Sequence, residues 1–269
     1  FYLATTRGHA LIIRIQESYR AQSSLSNMME DARFLLEVFG SETRRIGYLR
    51  NRLETSFDDM FTADNNVITS TIDLAQGEYI KGEADPTFFD RFAFRYQLND
   101  NTELSAVNPN FTASPCTQDI SLTAGEDPAT ENHIVTIYLF VEADPATGTG
   151  ILKCRAKRDN LSDADDPVKN PVSGEKELMS NVEALRVLYG EDTDNDHWPN
   201  HYLNESQVSD WKNVVSMRLS VVLNSSERGI SKADPSYSYD SNTYGVRNGG
   251  EFRVYRVFST TISMRNVML

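Results

Sequence analysis

Glu17-Ser-Tyr-Arg-Ala-Gln-Ser-Ser-Leu-Ser-Asn-Met-Met-Glu-Asp-Ala-Arg-Phe-Leu-Leu-Glu-Val-Phe-Gly-Ser-Glu-Thr-Arg-Arg-Ile-Gly-Tyr48 reads as one long amphipathic helix. Ile12, Ile15, Tyr19, Gln22, Leu25, Met29, Ala32, Leu36, Phe39, Thr43 and Ile46 recur at steps of three and four residues. Nearly all are apolar, so the spacing predicts a single stripe on one helix face. Arg33, Arg44 and Arg45 sit off the stripe, and Gly47 offers a stop. A helix this long has more surface than one sheet can cover. Part of the stripe is therefore expected against another subunit, with Tyr19, Leu25, Met29 and Leu36 as candidate partner-binding residues.

Downstream of Tyr48 the periodicity changes. Phe92, Phe94, Tyr96 and Leu98 alternate with Ala93, Arg95, Gln97 and Asn99, which predicts a half-buried strand. Val215, Met217, Leu219, Val221 and Leu223 alternate with smaller or polar residues in the same way, and residues 134–141 are apolar on both faces, as in a central strand. Residues 68–74, 151–155 and 251–264 complete the strand candidates, and 123–132, 159–177 and 225–250 read as long polar loops. One long N-terminal helix followed by strands predicts an α+β fold.

The net charge of −13 and pI near 4.8 argue against nucleic acid and anionic membrane surfaces, both of which select basic patches. No run of about 18 apolar residues suggests a spanning helix. Cys116 and Cys154 are the only cysteines, and no Cys-x-x-Cys pair points to zinc. Two readings stand: separate buried thiols, or a disulfide closing a loop of about 38 residues, contributing up to roughly 4 kcal/mol and implying an oxidising compartment. The disulfide is favoured.

Asp192-Thr-Asp-Asn-Asp-His-Trp198 places Asp192, Asp194 and Asp196 at alternate loop positions, like the first half of a calcium loop. His197 stands where such a loop has glycine, and Leu203 where it has a closing glutamate. A calcium loop and a solvated Asx turn are thus both open readings, with Ca2+ the only cofactor suggested. Trp211 reads as a core anchor. No nucleophile elbow, zinc-protease helix or phosphate loop occurs, and the four histidines are scattered, so the chain is expected to be non-enzymatic.

Several stations along the chain resemble PilW-type minor pilins of type IV pili. They include Tyr19-Arg-Ala-Gln22, Leu152-Lys-Cys154, Val182-Glu-Ala-Leu-Arg-Val-Leu-Tyr-Gly190, the Asp192–Asp196 run, Val208-Ser-Asp-Trp211 and Arg256-Val-Phe-Ser-Thr-Thr-Ile-Ser-Met-Arg-Asn266. The resemblance implies a pilin-like fold, its helix packed on antiparallel sheet, divided into a leader segment at 1–14, non-native or truncated, the soluble half of the pilin helix at 15–52 and a β-rich globular domain at 53–269. It also implies a leader-bearing precursor with a membrane anchor, residence in the inner membrane and periplasm, and then an extracellular place at the pilus tip. Implied partners are other minor pilins and a tip adhesin. Thr5 departs from the glutamate usual in the family and no apolar span follows Phe1, so the anchor is read as deleted or replaced. The alternatives are a J-type minor pseudopilin of a type II secretion system and a secreted calcium- or glycan-binding β-domain.

Overall fold

The computed structural model describes residues 2–65, 67–86, 88–98, 115–122, 126, 130–231, 236–239, 242–246 and 250–268. Phe1 and parts of the expected loops at 123–132 and 225–250 lie outside the described residues. Helix α1 spans Tyr2–Thr43 without a break. It therefore begins before, and ends before, the bounds of 15 and 52 expected from sequence. At its end Thr43 donates its hydroxyl back to the Phe39 carbonyl. A turn follows, and Gly47 at φ +68° sends its N–H to the Arg95 carbonyl at 3.0 Å. A glycine suits this left-handed exit, and a Cβ there would also strike Val267. A four-residue helix α2 (Phe57–Met60) follows, opened by a capping box from Ser56 and Asp59.

Ten strands follow among the described residues: β1 (Ile80–Glu83), β2 (Arg91–Gln97), β3 (His133–Ala143), β4 (Gly150–Asn160), β5 (Lys176–Glu191), β6 (His201–Leu203), β7 (Val214–Asn224), β8 (Ser236–Tyr239), β9 (Asn242–Gly245) and β10 (Tyr255–Ser263). Eight form one antiparallel sheet in the order β1-β2-β3-β4-β5-β7-β10, with β6 paired to β5, while β8 and β9 make a separate hairpin. With α1 packed upon the sheet this is an α+β architecture, the class expected from sequence.

β5 is long enough to change partners. Its first part pairs with β4 (Lys176 opposite Cys154) and its last part with β6 (Gly190 opposite Tyr202), while β7 runs along its other side. The backbone before β2 fills the gap between β4 and β6. Leu185 N–H donates to the Phe88 carbonyl at 2.8 Å, Asp90 N–H to the Leu185 carbonyl at 2.9 Å, and the Asp90 carboxylate accepts from Val187 N–H at 2.9 Å. The Leu185, Val187 and Asp90 N–H groups are thereby satisfied in this buried place.

The two sheet faces are covered differently. Met28, Ala32, Leu35 and Phe39 of α1 share a core with Ile137, Leu139, Leu152, Leu185, Met217 and Val221, and Phe39 stacks on Phe92 with ring centres 6.2 Å apart. On the far side, Val67, Ile72 and Leu74 cover Ala93 and Tyr138, and Tyr237 of the hairpin covers Ala184 and Val222.

Three expectations fail here for physical reasons. Residues 68–74 form a 3-10 turn and a single bridge rather than a strand, because Ile68 takes φ +50°. The hairpin β8–β9 lies inside the 225–250 segment read as loop. β5 was not predicted, because Glu177-Leu-Met and Glu183-Ala-Leu-Arg are helix formers and a bulge at Val182–Ala184 interrupts its alternation.

Candidate assembly surface and acidic loop

The apolar positions of α1 do not form one stripe. Their average step is about 3.4 residues against the 3.6 of a straight helix, so the series winds through about 140° between Ile12 and Thr43, where the helix ends. Its lower members, Ala32, Phe39, Thr43 and Ile46, are buried on the sheet. Its upper members face solvent: Ile15 is 59% exposed, Tyr19 71% and Met29 61%. The face that is buried runs through Ser24, Met28, Ala32, Leu35 and Phe39, at a spacing close to the true helical repeat.

The four expected partner-binding residues therefore divide. Tyr19 and Met29 are exposed. Leu25 is half-buried and packs on the core, so it belongs to the fold. Leu36 is half-buried and lines a groove of ≈ 470 Å³ between α1 and β10. Residues 14–20 are all exposed. A surface ion pair from Arg20 to Glu227 at 2.8 Å ties this upper half to the body. Such a pair contributes about 0–1 kcal/mol.

Asp192, Asp194 and Asp196 do come together, each offering a carboxylate oxygen within 4.8 Å of the others. The backbone accomplishes this turn at the position where sequence spoke against it: His197 itself adopts φ +68°, the left-handed conformation that glycine makes easy. Asp192 holds the loop. Its carboxylate accepts from the N–H groups of Asp194 (3.2 Å), Asn195 (2.7 Å) and His197 (2.8 Å). Burial pushes its carboxyl upward, but these donors together outweigh burial and the net shift is downward. Asp196 accepts from Trp198 N–H at 2.8 Å, so an exposed indole is carried on a fixed backbone. Glu191 does not join the cluster. It turns inward and accepts from Ser209 N–H and hydroxyl and from Asp210 N–H. Leu203 lies in β6 opposite Tyr189, so no carboxylate closes the loop from that position. A hard cation would meet Asp192 already engaged in three backbone hydrogen bonds and Asp196 in one.

Cys116 and Cys154 form a disulfide with Cα atoms 5.6 Å apart. It fixes the 3-10 turn Pro115–Ile120 to the helix-facing side of β4. A polar network that sequence gave no sign of lies beside it. Arg158, wholly buried, clasps both oxygens of Glu126 at 2.6 and 2.9 Å and donates to the Ile120 and Ser121 carbonyls. It also donates to His133 Nδ1 at 3.0 Å, while His133 Nε2 faces Glu131 at 3.1 Å. Burial and then the guanidinium hold the His133 pKa down, which keeps the ring neutral and able to accept from Arg158. Trp211 meets the Tyr189 ring edge-on at 4.7 Å, as an anchor of the core rim.

Residues 139–266, just under half of the chain, match the family described as Type IV Pilus-assembly protein W. That stretch is similar to the PilW family. It takes in the second half of β3 from Leu139, all of β4 to β10, the acidic loop and one of the two cysteines. The fold is also that of a solved type IV-like pilin from Thermus thermophilus, at 11% identity and a TM-score of 0.50, covering 89% of this chain and 96% of the other. No curated protein matches in sequence. The matched region supplies most of the sheet's strands, while α1, β1 and β2 lie outside it. No described helix is long and apolar enough to cross a membrane.

Proposed function

We propose that the chain is a minor subunit of a type IV pilus, structural rather than catalytic, which joins other minor pilins in the complex that primes filament growth at the tip. The observation that carries this reading is the upper half of α1. It presents Ile12, Ile15, Tyr19 and Met29 to solvent at the front of a chain whose sheet matches the PilW family. Exposed apolar residues grouped on one element favour a partner over solvent. The acidic surface, with net charge −13, keeps such a subunit soluble outside the cytoplasm until it assembles. The disulfide accords with an oxidising compartment.

Co-expression with other minor pilins, followed by affinity capture, tests the proposal. Capture of those pilins by the parent chain, lost on replacing Ile15 and Tyr19 by serine, is the expected result. Capture of type II secretion pseudopilins instead would favour the pseudopilin reading, and a chain that remains monomeric in both mixtures would defeat both.

A further inference from the structure

The last strand of the sheet leaves one edge open. In the β10–β7 pair, Ser225 N–H donates to the Val254 carbonyl and Met264 N–H to the Val215 carbonyl. With Tyr255 opposite Asn224 and Ser263 opposite Ser216, the even-numbered residues of β10 exchange backbone bonds with β7. The backbone groups of Val257, Ser259, Thr261 and Ser263 therefore point away from the sheet, and among the described residues none of them finds a backbone partner. The open edge is about 20 Å long. Neither proline, lysine nor a bulge interrupts it, although natural sheets ordinarily guard such an edge.

The charge beside this edge opposes that of the whole chain. Arg44, Arg256 and Arg265 are exposed there, and β10 itself holds no acidic residue. Arg44 and Arg265 line the groove with Leu36, Gly40 and residues 260–263, and neither forms an ion pair among the described residues. A Cβ placed on Gly40 would meet only the Arg44 guanidinium, so the helix side of the groove is unfilled.

We propose that β10 is a docking edge for an extended, carboxylate-bearing segment of another protein chain. The segment adds an antiparallel or parallel strand to Val257–Ser263 through main-chain bonds, and its acidic side chains face Arg44 and Arg265. The inference rests on strand pairing and charge, not on the pilus reading, so either can fail alone.

The test uses the full chain and the capped peptide Thr-Glu-Val-Glu-Val-Glu-Thr, with the lysine-for-glutamate peptide as control. The acidic peptide is expected to slow amide exchange at Val257, Ser259, Thr261 and Ser263, while the lysine peptide does not. Thr261→Pro removes an outward N–H without breaking a β10–β7 bond, and should weaken binding about tenfold. Should that variant misfold, Arg265→Glu serves in its place, weakening the acidic peptide and improving the basic one. Equal binding of the two peptides, or no protection of the four amides at millimolar peptide, overturns the proposal.

Discussion

The two halves of α1 are alike in composition and unlike in circumstance. Residues 24–43 carry Met28, Leu35 and Phe39 into the sheet core, whereas residues 12–20 carry Ile12, Ile15 and Tyr19 into solvent. Apolar side chains alone thus do not say where a helix is anchored. What matters is whether their repeat keeps pace with 3.6 residues per turn on the side where a sheet waits. The lower half keeps pace and is scaffold. The upper half, with no packed face, has only its own hydrogen bonds to keep it helical, and an isolated segment of this length is marginal in water.

Removing a lower-half anchor should have the largest effect. Phe39→Ala leaves a cavity against Phe92 and should lower unfolding stability by about 3–5 kcal/mol in a urea titration. A change below 1 kcal/mol would dissolve the distinction between the halves. Replacing Cys116 and Cys154 together by serine attacks the same core through β4 and should lower stability by about 2–5 kcal/mol, with reduction of the parent chain giving a similar fall in melting temperature. Helicity of residues 12–20 should not respond to either substitution, since residues 14–20 are exposed and their ion pair, Arg20 to Glu227, involves neither site.

Asp90 gives a smaller effect that depends on pH. Burial pushes its carboxyl up to about 6, although Arg186 and the Val187 and Asp85 N–H groups pull the other way. A folded-state value above the unfolded one means the folded chain binds the proton more tightly. The stability from this group is full below pH ~4 and is lost as pH rises through ~6. Asp90→Asn should therefore flatten the melting-temperature profile over that window, because the amide oxygen can still accept from Val187. An unchanged slope would remove Asp90 from the crossover account. The smallest effect belongs to the upper half. Arg20→Ala should alter stability by about 0–1 kcal/mol, and Tyr19→Ser by no more than roughly 0.5 kcal/mol, in the same titration.

The sequence carried the α+β class, the strands around Phe92, Ile134 and Val215, and the clustering of Asp192, Asp194 and Asp196. It could do so because each depends on a local repeat or a short loop. It did not carry β5, where residues that favour helix are overruled by neighbours on both sides, β4 and β6 on one and β7 on the other. The division of the helix stripe was also hidden, because steps of three and four look equivalent until their drift is summed along the helix. The Arg158–Glu126–His133 network was invisible for a different reason: its members come from separate segments, and no spacing links them. At His197 the spacing misled, since the backbone adopts the left-handed turn without a glycine.

Backbone amide exchange along α1, measured for the chain alone and again in the proposed complex with minor pilins, tests the division most directly. The account predicts strong protection of residues 28–42 in both states, and protection of residues 12–20 only in the complex. Protection of residues 12–20 in the isolated chain equal to that of 28–42, or no gain on assembly, would contradict it.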